Sequence, residues 1–268
     1  MQVLGIVGPG ARALCDRVAP HLDGRVAVVE RSDTGEEPDD GGSPDGVAAA
    51  YRVGNDGAWS ARGVDRDLDD ILDDLAATHD HALLVGCPET TVPTISLGDA
   101  DHERTVRSAD TEADVDTESV LDAMADADPH VTLETLVEQV KASPRAHRAG
   151  AIATFTGRVR AKDGEDDPRT LQLTFEKYEG VADERFRTIE SELMEREGVE
   201  EVVMFHRTGT LEAGEDIVFV VVLAGHRAEA FETVSDGIDR LKDEVPIFKR
   251  ETTVEEDFWV HDRDSSGA

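Results

Sequence analysis

Lysine is scarce in this chain. Its 268 residues carry 60 acidic side chains against 27 arginines and lysines, for a net charge of −33, and Lys141, Lys162, Lys177, Lys242 and Lys249 supply all of its ammonium groups. A surface this negative excludes general binding to nucleic acid or to an anionic membrane, since both select for basic side chains. It has the acid-rich, lysine-poor character of proteins from a high-salt cytoplasm. Cysteine is scarce too: Cys15 and Cys87 stand alone without metal-ligand spacing, as expected of thiols in a reducing cytoplasm. No apolar run reaches the ~18 residues that would suggest a membrane span. The N-terminus has no basic n-region and enters directly on Val3-Leu4-Gly5-Ile6-Val7, which reads as a strand rather than a signal peptide. A cytoplasmic protein is the expectation.

What is present suits two modest domains, at ~100–200 residues each. Residues 1–100 alternate apolar runs (3–7, 26–30, 82–85) with helical segments (11–22, and the stripe Leu68, Ile71, Leu72, Leu75), an order that predicts an α/β domain with a parallel sheet. A Gly, Asp and Pro-rich loop is expected over 33–45. Gly5 and Gly10 have the spacing of the glycines in a phosphate-binding loop, but Ala11 and Arg12 stand where that chemistry needs Lys and Ser or Thr. The stretch therefore reads as a degenerate P-loop-like turn that leads a strand into a helix. Residues 101–130 are acidic and poor in large apolar side chains, which predicts a linker with at most one short helix. An amphipathic helix over 131–141 could belong to either neighbour. From there to 268 the pattern predicts an α+β domain with a largely antiparallel sheet: strands at 151–159, 171–176, 202–205 and 217–223, with a helical face of Ala182, Phe186, Ile189 and Leu193.

The second domain is organised around residues 225–251. Phe231, Val234, Ile238, Leu241 and Val245 step by three and four, the pattern of one amphipathic helix, and Pro246 ends it. His226 and Arg227 precede this helix, where backbone N–H groups already attract anions; Lys242, Lys249 and Arg250 lie at and beyond its end. Two readings of these cations are open. They could form solvated pairs with Asp243, Glu244 and Glu251, worth little, or they could make an anion-binding site. Sixteen residues of helix separate His226 from Lys242, about 24 Å at 1.5 Å per residue, so one small ligand cannot touch both within one subunit.

Four pieces then suggest a family. In order and spacing, Gly150-Ala-Ile-Ala-Thr-Phe-Thr-Gly-Arg-Val-Arg160, His206-Arg-Thr-Gly-Thr-Leu-Glu-Ala-Gly-Glu215, Gly225-His-Arg-Ala-Glu-Ala-Phe231, and Leu241-Lys-Asp-Glu-Val-Pro-Ile-Phe-Lys-Arg-Glu251 with Trp259-Val260 resemble the MoaE family of molybdopterin synthase catalytic subunits. The resemblance covers residues 130–262. It implies a sulfurtransferase that makes molybdopterin from cyclic pyranopterin monophosphate, without metal or organic cofactor. The sulfur would come from the C-terminal Gly-Gly thiocarboxylate of a small ubiquitin-like partner, and the assembly would be a heterotetramer around a homodimer core. It also implies that Arg158, Val159, Arg160, His226, Arg227, Lys242, Lys249, Arg250 and Glu251 line the substrate pocket, with Lys242 and Lys249 catalytic. Lys242 could act as proton donor, oxyanion stabiliser or nucleophile. A non-catalytic adaptor in molybdenum cofactor assembly is the alternative. The first hundred residues, through Leu83-Leu84-Val85-Gly86 and Val92-Pro93-Thr94-Ile95-Ser96-Leu97-Gly98-Asp99, resemble the MobB family of GTP-binding adaptors, with the departure at Ala11 and Arg12 noted above.

A net charge of −33 repels itself, and salt screens that repulsion. Denaturant midpoints measured from low to molar KCl are therefore expected to rise; a flat series would contradict a salt-dependent fold.

Overall fold

In the first unit, short apolar runs form a parallel sheet. The computed structural model describes residues 1–31, 48–63, 65–162, 164, 168–254 and 257–260. In chain order its first elements are β1 (Gln2–Val7), α1 (Ala11–Val18), β2 (Val26–Glu30), β3 (Ala49–Val53), β4 (Trp59–Gly63), α2 (Leu68–Ala76), β5 (His81–Val85), β6 (Thr94–Leu97), β7 (Thr105–Ala109) and α3 (Thr117–Ala125). The main sheet runs β2-β5-β1-β6-β7, with every pairing parallel. Its central strands are buried on both faces: Leu4, Ile6, Leu83, Ile95 and Leu97 join Leu14 and Val18 of α1, while Val3, Ala82 and Leu84 join Leu72 of α2. Cys15 and Cys87 are buried free thiols.

Three expectations need correction here. The helix expected over 11–22 stops at Val18, and a single tight turn, Ala19–His21, follows. Pro20 has no N–H and its ring crowds the preceding turn, so the α-helix cannot continue through it. The 101–130 stretch is no linker. It supplies the edge strand β7 and helix α3, and the first compact unit runs to Thr132, the second starting at Leu133. Its few apolar residues are well placed: Val115, Val120 and Met124 are buried against the β1 core, and the Asp116 carboxylate caps α3 by accepting from the Ser119 N–H at 2.8 Å. The β3–β4 hairpin was not foreseen, and the loop expected over 33–45 lies outside the described residues.

The turn after β1 sits at the carboxyl end of the central strand, between its neighbours β5 and β6. Gly10 caps α1 with a φ of 84°, and a Cβ there would meet Glu112 Oε2 at 2.4 Å. A carboxylate thus lies over the helix start, where a phosphate would have to sit. Arg12, in turn, is tied to Asp16 at 2.9 Å and to Glu30.

The second unit contains α4 (Leu133–Lys141), β8 (Ala151–Arg158), β9 (Thr170–Lys177), α5 (Glu179–Met194), β10 (Val199–His206), β11 (Gly209–Glu212), β12 (Asp216–Ala224), α6 (Arg227–Glu244), β13 (Ile247–Thr253) and β14 (Asp257–Val260). Two antiparallel sheets result, β10-β12-β8 and β11-β9-β13-β14. The alternation of β12 places Val218, Val220, Val222 and Ala224 in one core with Ile189 and Leu193 of α5 and with Val234, Ile238 and Leu241 of α6. α4 packs against β10 and β12, so it belongs to this unit.

One half-buried carboxyl stands out beside that core. Glu190 of α5 accepts from the Met204 N–H at 2.8 Å, and burial pushes its pKa up to about 7. Between the ordinary carboxylate value and about 7 the folded chain holds a proton that the unfolded chain has lost, so stability falls as pH rises through that window. Glu190→Gln should match the parent near pH 4.5 and exceed it by roughly 2–3 kcal/mol at pH 8.5, in paired unfolding curves at the two pH values.

Candidate active site

α6 is the element that sets the site's dimensions. β12 feeds it through Gly225 and His226, and it returns antiparallel across β12 and β8. The entry is tight: the Gly150 N–H donates to Ala224 O at 3.0 Å, and a Cβ on Gly150 would meet the Gly225 carbonyl at 2.8 Å. The exit is extended, Val245 preceding Pro246 with a ψ of 122°. The buried face is Ala230, Thr233, Val234, Gly237, Ile238 and Leu241. Phe231, assigned to the apolar stripe on spacing, departs from it: it is 66 % exposed, on the first turns beside His226 and Arg227.

Because α6 returns toward the start of β12, its C-terminal end comes back to the end of the sheet where Asp216 pairs with Arg158. There Leu241, Val245 and Val218 share a core with Ile217 and Ile247, and the same two isoleucines pack against a second cluster containing Val159, Leu173, Phe175 and Leu211. Val159 is 3 % exposed and anchors the chain between the exposed Arg158 and Arg160. Lys242, Lys249, Arg250, Glu251, Arg158 and Arg160 thus cluster around this end of the unit. His226 and Arg227 do not join them, standing exposed at the opposite end of α6.

The ion pairs separate the two readings of the cations. Glu244 is taken by Arg240 at 2.6 Å, with Arg185 at 4.0 Å, and burial-free pairing holds its carboxyl below the usual range. Glu251 accepts from the Thr170 hydroxyl. Among the described residues, Lys242 and Lys249 have no ion pair or side-chain hydrogen bond, and neither do His226 and Arg227. In this acid-rich chain Arg12, Arg66, Arg148, Arg196, Arg240 and Lys141 all have carboxylate partners. The solvated-pair reading of the two lysines fails. Arg158 differs from them, bound to Asp216 at 2.9 Å and to the Gly214 carbonyl, so it clamps the turn into β12. Arg250 lies 5.9 Å from the Trp259 ring centroid, a cation–π distance.

Two neighbours of this cluster were not assigned to it from sequence. His206, which opens the second motif, is the last residue of β10, 8 % exposed, edge-on to Phe175 at 4.9 Å between centroids. Burial takes its pKa down to about 4, with Nδ1 2.7 Å from Arg207 O. Lys177 ends β9, opposite Ile247. His261 lies outside the described residues, which contain no His, Cys, Asp and Glu cluster able to hold a metal ion and no helix long and apolar enough to cross a membrane.

The chain is similar to known proteins along its whole length. Residues 127–244 match the MoaE protein family. A probable molybdopterin synthase from Haloferax volcanii is 59 % identical over 98 % of this chain and 100 % of its own. The molybdopterin synthase catalytic subunit of Pyrococcus abyssi is 36 % identical over 46 % of this chain and 82 % of its own. Among solved structures, molybdopterin synthase from Staphylococcus aureus is similar with a TM-score of 0.40 at 29 % identity, over 43 % of this chain and 82 % of that one.

Proposed function

The chain belongs to the MoaE family of molybdopterin synthase catalytic subunits, enzymes of molybdenum cofactor biosynthesis, and from that premise we propose that it is a sulfurtransferase with Lys242 and Lys249 at its centre. Sulfur would pass from the thiocarboxylated C-terminus of a small ubiquitin-like partner to cyclic pyranopterin monophosphate. The observation that carries this reading is the pair of lysines left without carboxylate partners at the end of the unit where Arg160 and Arg250 also lie. A cyclic phosphate and a thiocarboxylate are both anions, and bringing them together needs several cations not already neutralised. Arg160 and Arg250 have planar forks suited to phosphate. Lys242 and Lys249, with compact ammonium groups, suit the oxyanion that develops when the carbonyl carbon is attacked and the proton needed as the phosphate ring opens.

The length of α6 supports a shared site. His226 and Arg227 stand about 24 Å from Lys242 along the helix, and Phe231 beside them is 66 % exposed. We read this end of α6 as facing a second copy of the chain across a two-fold axis, so that His226 and Arg227 complete that copy's pocket.

For the N-terminal unit we propose a MobB-like domain without nucleotide hydrolysis. A glycine turn at the carboxyl end of the central strand supports the likeness, while Glu112 over Gly10 and the committed Arg12 weigh against bound phosphate. An adaptor role then falls to this unit and not to the lysine site.

Reconstitution with a thiocarboxylated partner and cyclic pyranopterin monophosphate in high KCl should yield molybdopterin, and Lys242→Ala or Lys249→Ala should lower the yield at least ~100-fold, the scale of losing one oxyanion donor. Product formation undiminished in both variants would remove the lysines from the chemistry. Mixing His226→Ala chains with Lys242→Ala chains should recover up to roughly a quarter of parental activity, the share expected for one intact site per mixed dimer in a random mixture. Absence of recovery in a demonstrated mixed dimer would place each site within one chain.

A further inference from the structure

Lys177 is one of only five lysines, and the site as described leaves it without a task. It lies on the last position of β9. The β9–β13 register sets Lys177 opposite Ile247 and Phe175 opposite Lys249. Directly opposed residues share a face, so Lys177 and Lys249 are diagonal neighbours on the face that buries Phe175 and Leu173, roughly 7–8 Å apart at the backbone. The side chain is 19 % exposed. Its ammonium reaches a single carboxylate among the described residues, Asp183 of α5, at 3.4 Å. That is long for a charge-assisted bond, which closes to about 2.7–2.9 Å. An ammonium has three donors, so most of the hydrogen-bonding capacity of this largely buried cation is unspent. His206 lies close by and feels the charge of Lys177, which adds to the burial that keeps its ring neutral.

We propose that Lys177 is a third substrate-holding lysine, which together with Lys249 brackets the phosphate of the pterin substrate across the β9–β13 pair. This rests on the sulfurtransferase reading of the site. The cyclic phosphate carries one charge, as the Asp183 carboxylate does, and gains a second charge and a third terminal oxygen when the ring opens to a monoester, so it competes with the long Asp183 contact for the ammonium. Lys177 binds and orients; no bond to it forms or breaks.

The test uses the full chain with its partner. Lys177→Met should raise KM for cyclic pyranopterin monophosphate roughly tenfold, the scale of one hydrogen bond to a charged group, with kcat changed less than about threefold. Lys177→Arg should recover most of that loss. Asp183→Asn, which removes the competing carboxylate, should lower KM. Inorganic pyrophosphate, used as a competitive probe, should bind Lys177→Met more weakly by the same factor as the substrate. If Lys177→Met folds and leaves both KM and pyrophosphate binding at the parental values, the lysine only ties β9 to α5 and the inference is wrong. If Lys177→Met does not fold, Lys177→Arg and Asp183→Asn decide: unchanged KM in Asp183→Asn overturns the inference, and a lowered KM upholds it. If the parent makes no molybdopterin, the sulfurtransferase reading fails by itself. Pyrophosphate binding then still judges Lys177, since loss in the Met variant supports the anion site and retention overturns it.

Discussion

The packing of α6 across β12 and β8 is the constraint on which the second unit depends. Ala230, Val234, Ile238 and Leu241 join Val218, Val220, Val222 and Ala224 in one core, and fully burying such side chains contributes on the order of 1.5–3 kcal/mol each for the larger ones. That energy fixes the helix end to end. The tight approach of Gly150 to the Gly225 carbonyl sets where it starts, and Pro246 sets where it stops. A helix held this way has no freedom to bring its two charged ends together. The distance between His226 and Lys242 follows from core packing, and the proposed division of the site between two chains follows from that distance.

Charge does the rest, by being withheld. In a chain with 60 acids and 27 bases many cations have a carboxylate partner, as Arg240 has in Glu244 and Glu192. Those two pairs matter less for the weak stabilisation that exposed ion pairs give than for what they remove from reach. Glu244 stands two residues from Lys242 yet is held by Arg240, and Glu251 stands two residues from Lys249 yet accepts from Thr170. Two of the neighbouring carboxylates are thereby occupied, which favours the proposed use of the lysines' charge on an incoming anion.

Much of this was legible from residues alone, for physical reasons that also explain the misses. Periodicity places the end of α6 correctly because its stripe is long and Pro246 is unambiguous. It misplaces Phe231, since a stepping pattern cannot tell an apolar residue in the core from one beside it. The acidic stretch over 101–130 reads as a linker because its composition is set by the surface it shows, while a few residues, chiefly Val115, Val120 and Met124, carry its packing. β13 escapes notice because the face it shares with Leu173 and Phe175 mixes Ile247 with Lys249 and Glu251, and β11 because it is only four residues long. The candidate site residues were assigned through four spaced motifs. Lys177 fell outside all of them, and its only sequence signal was the rarity of lysine. Partners such as Glu244 to Arg240 or Arg158 to Asp216 become visible only when the chain is folded.

Glu190 and His206 are displaced in opposite directions by the same cause, burial: the carboxyl is carried up to about 7 and the imidazole down to about 4. Between about pH 4.5 and 6.5 the unfolded chain keeps a proton on the imidazole and none on the carboxyl, whereas the folded chain does the reverse. Across that interval folding relocates a proton from nitrogen to oxygen with no net exchange with solvent at these two groups. Two ionisable side chains that would each, alone, tilt the stability curve therefore compensate one another, and the unit carries them through mild acidification at almost no cost in pH sensitivity.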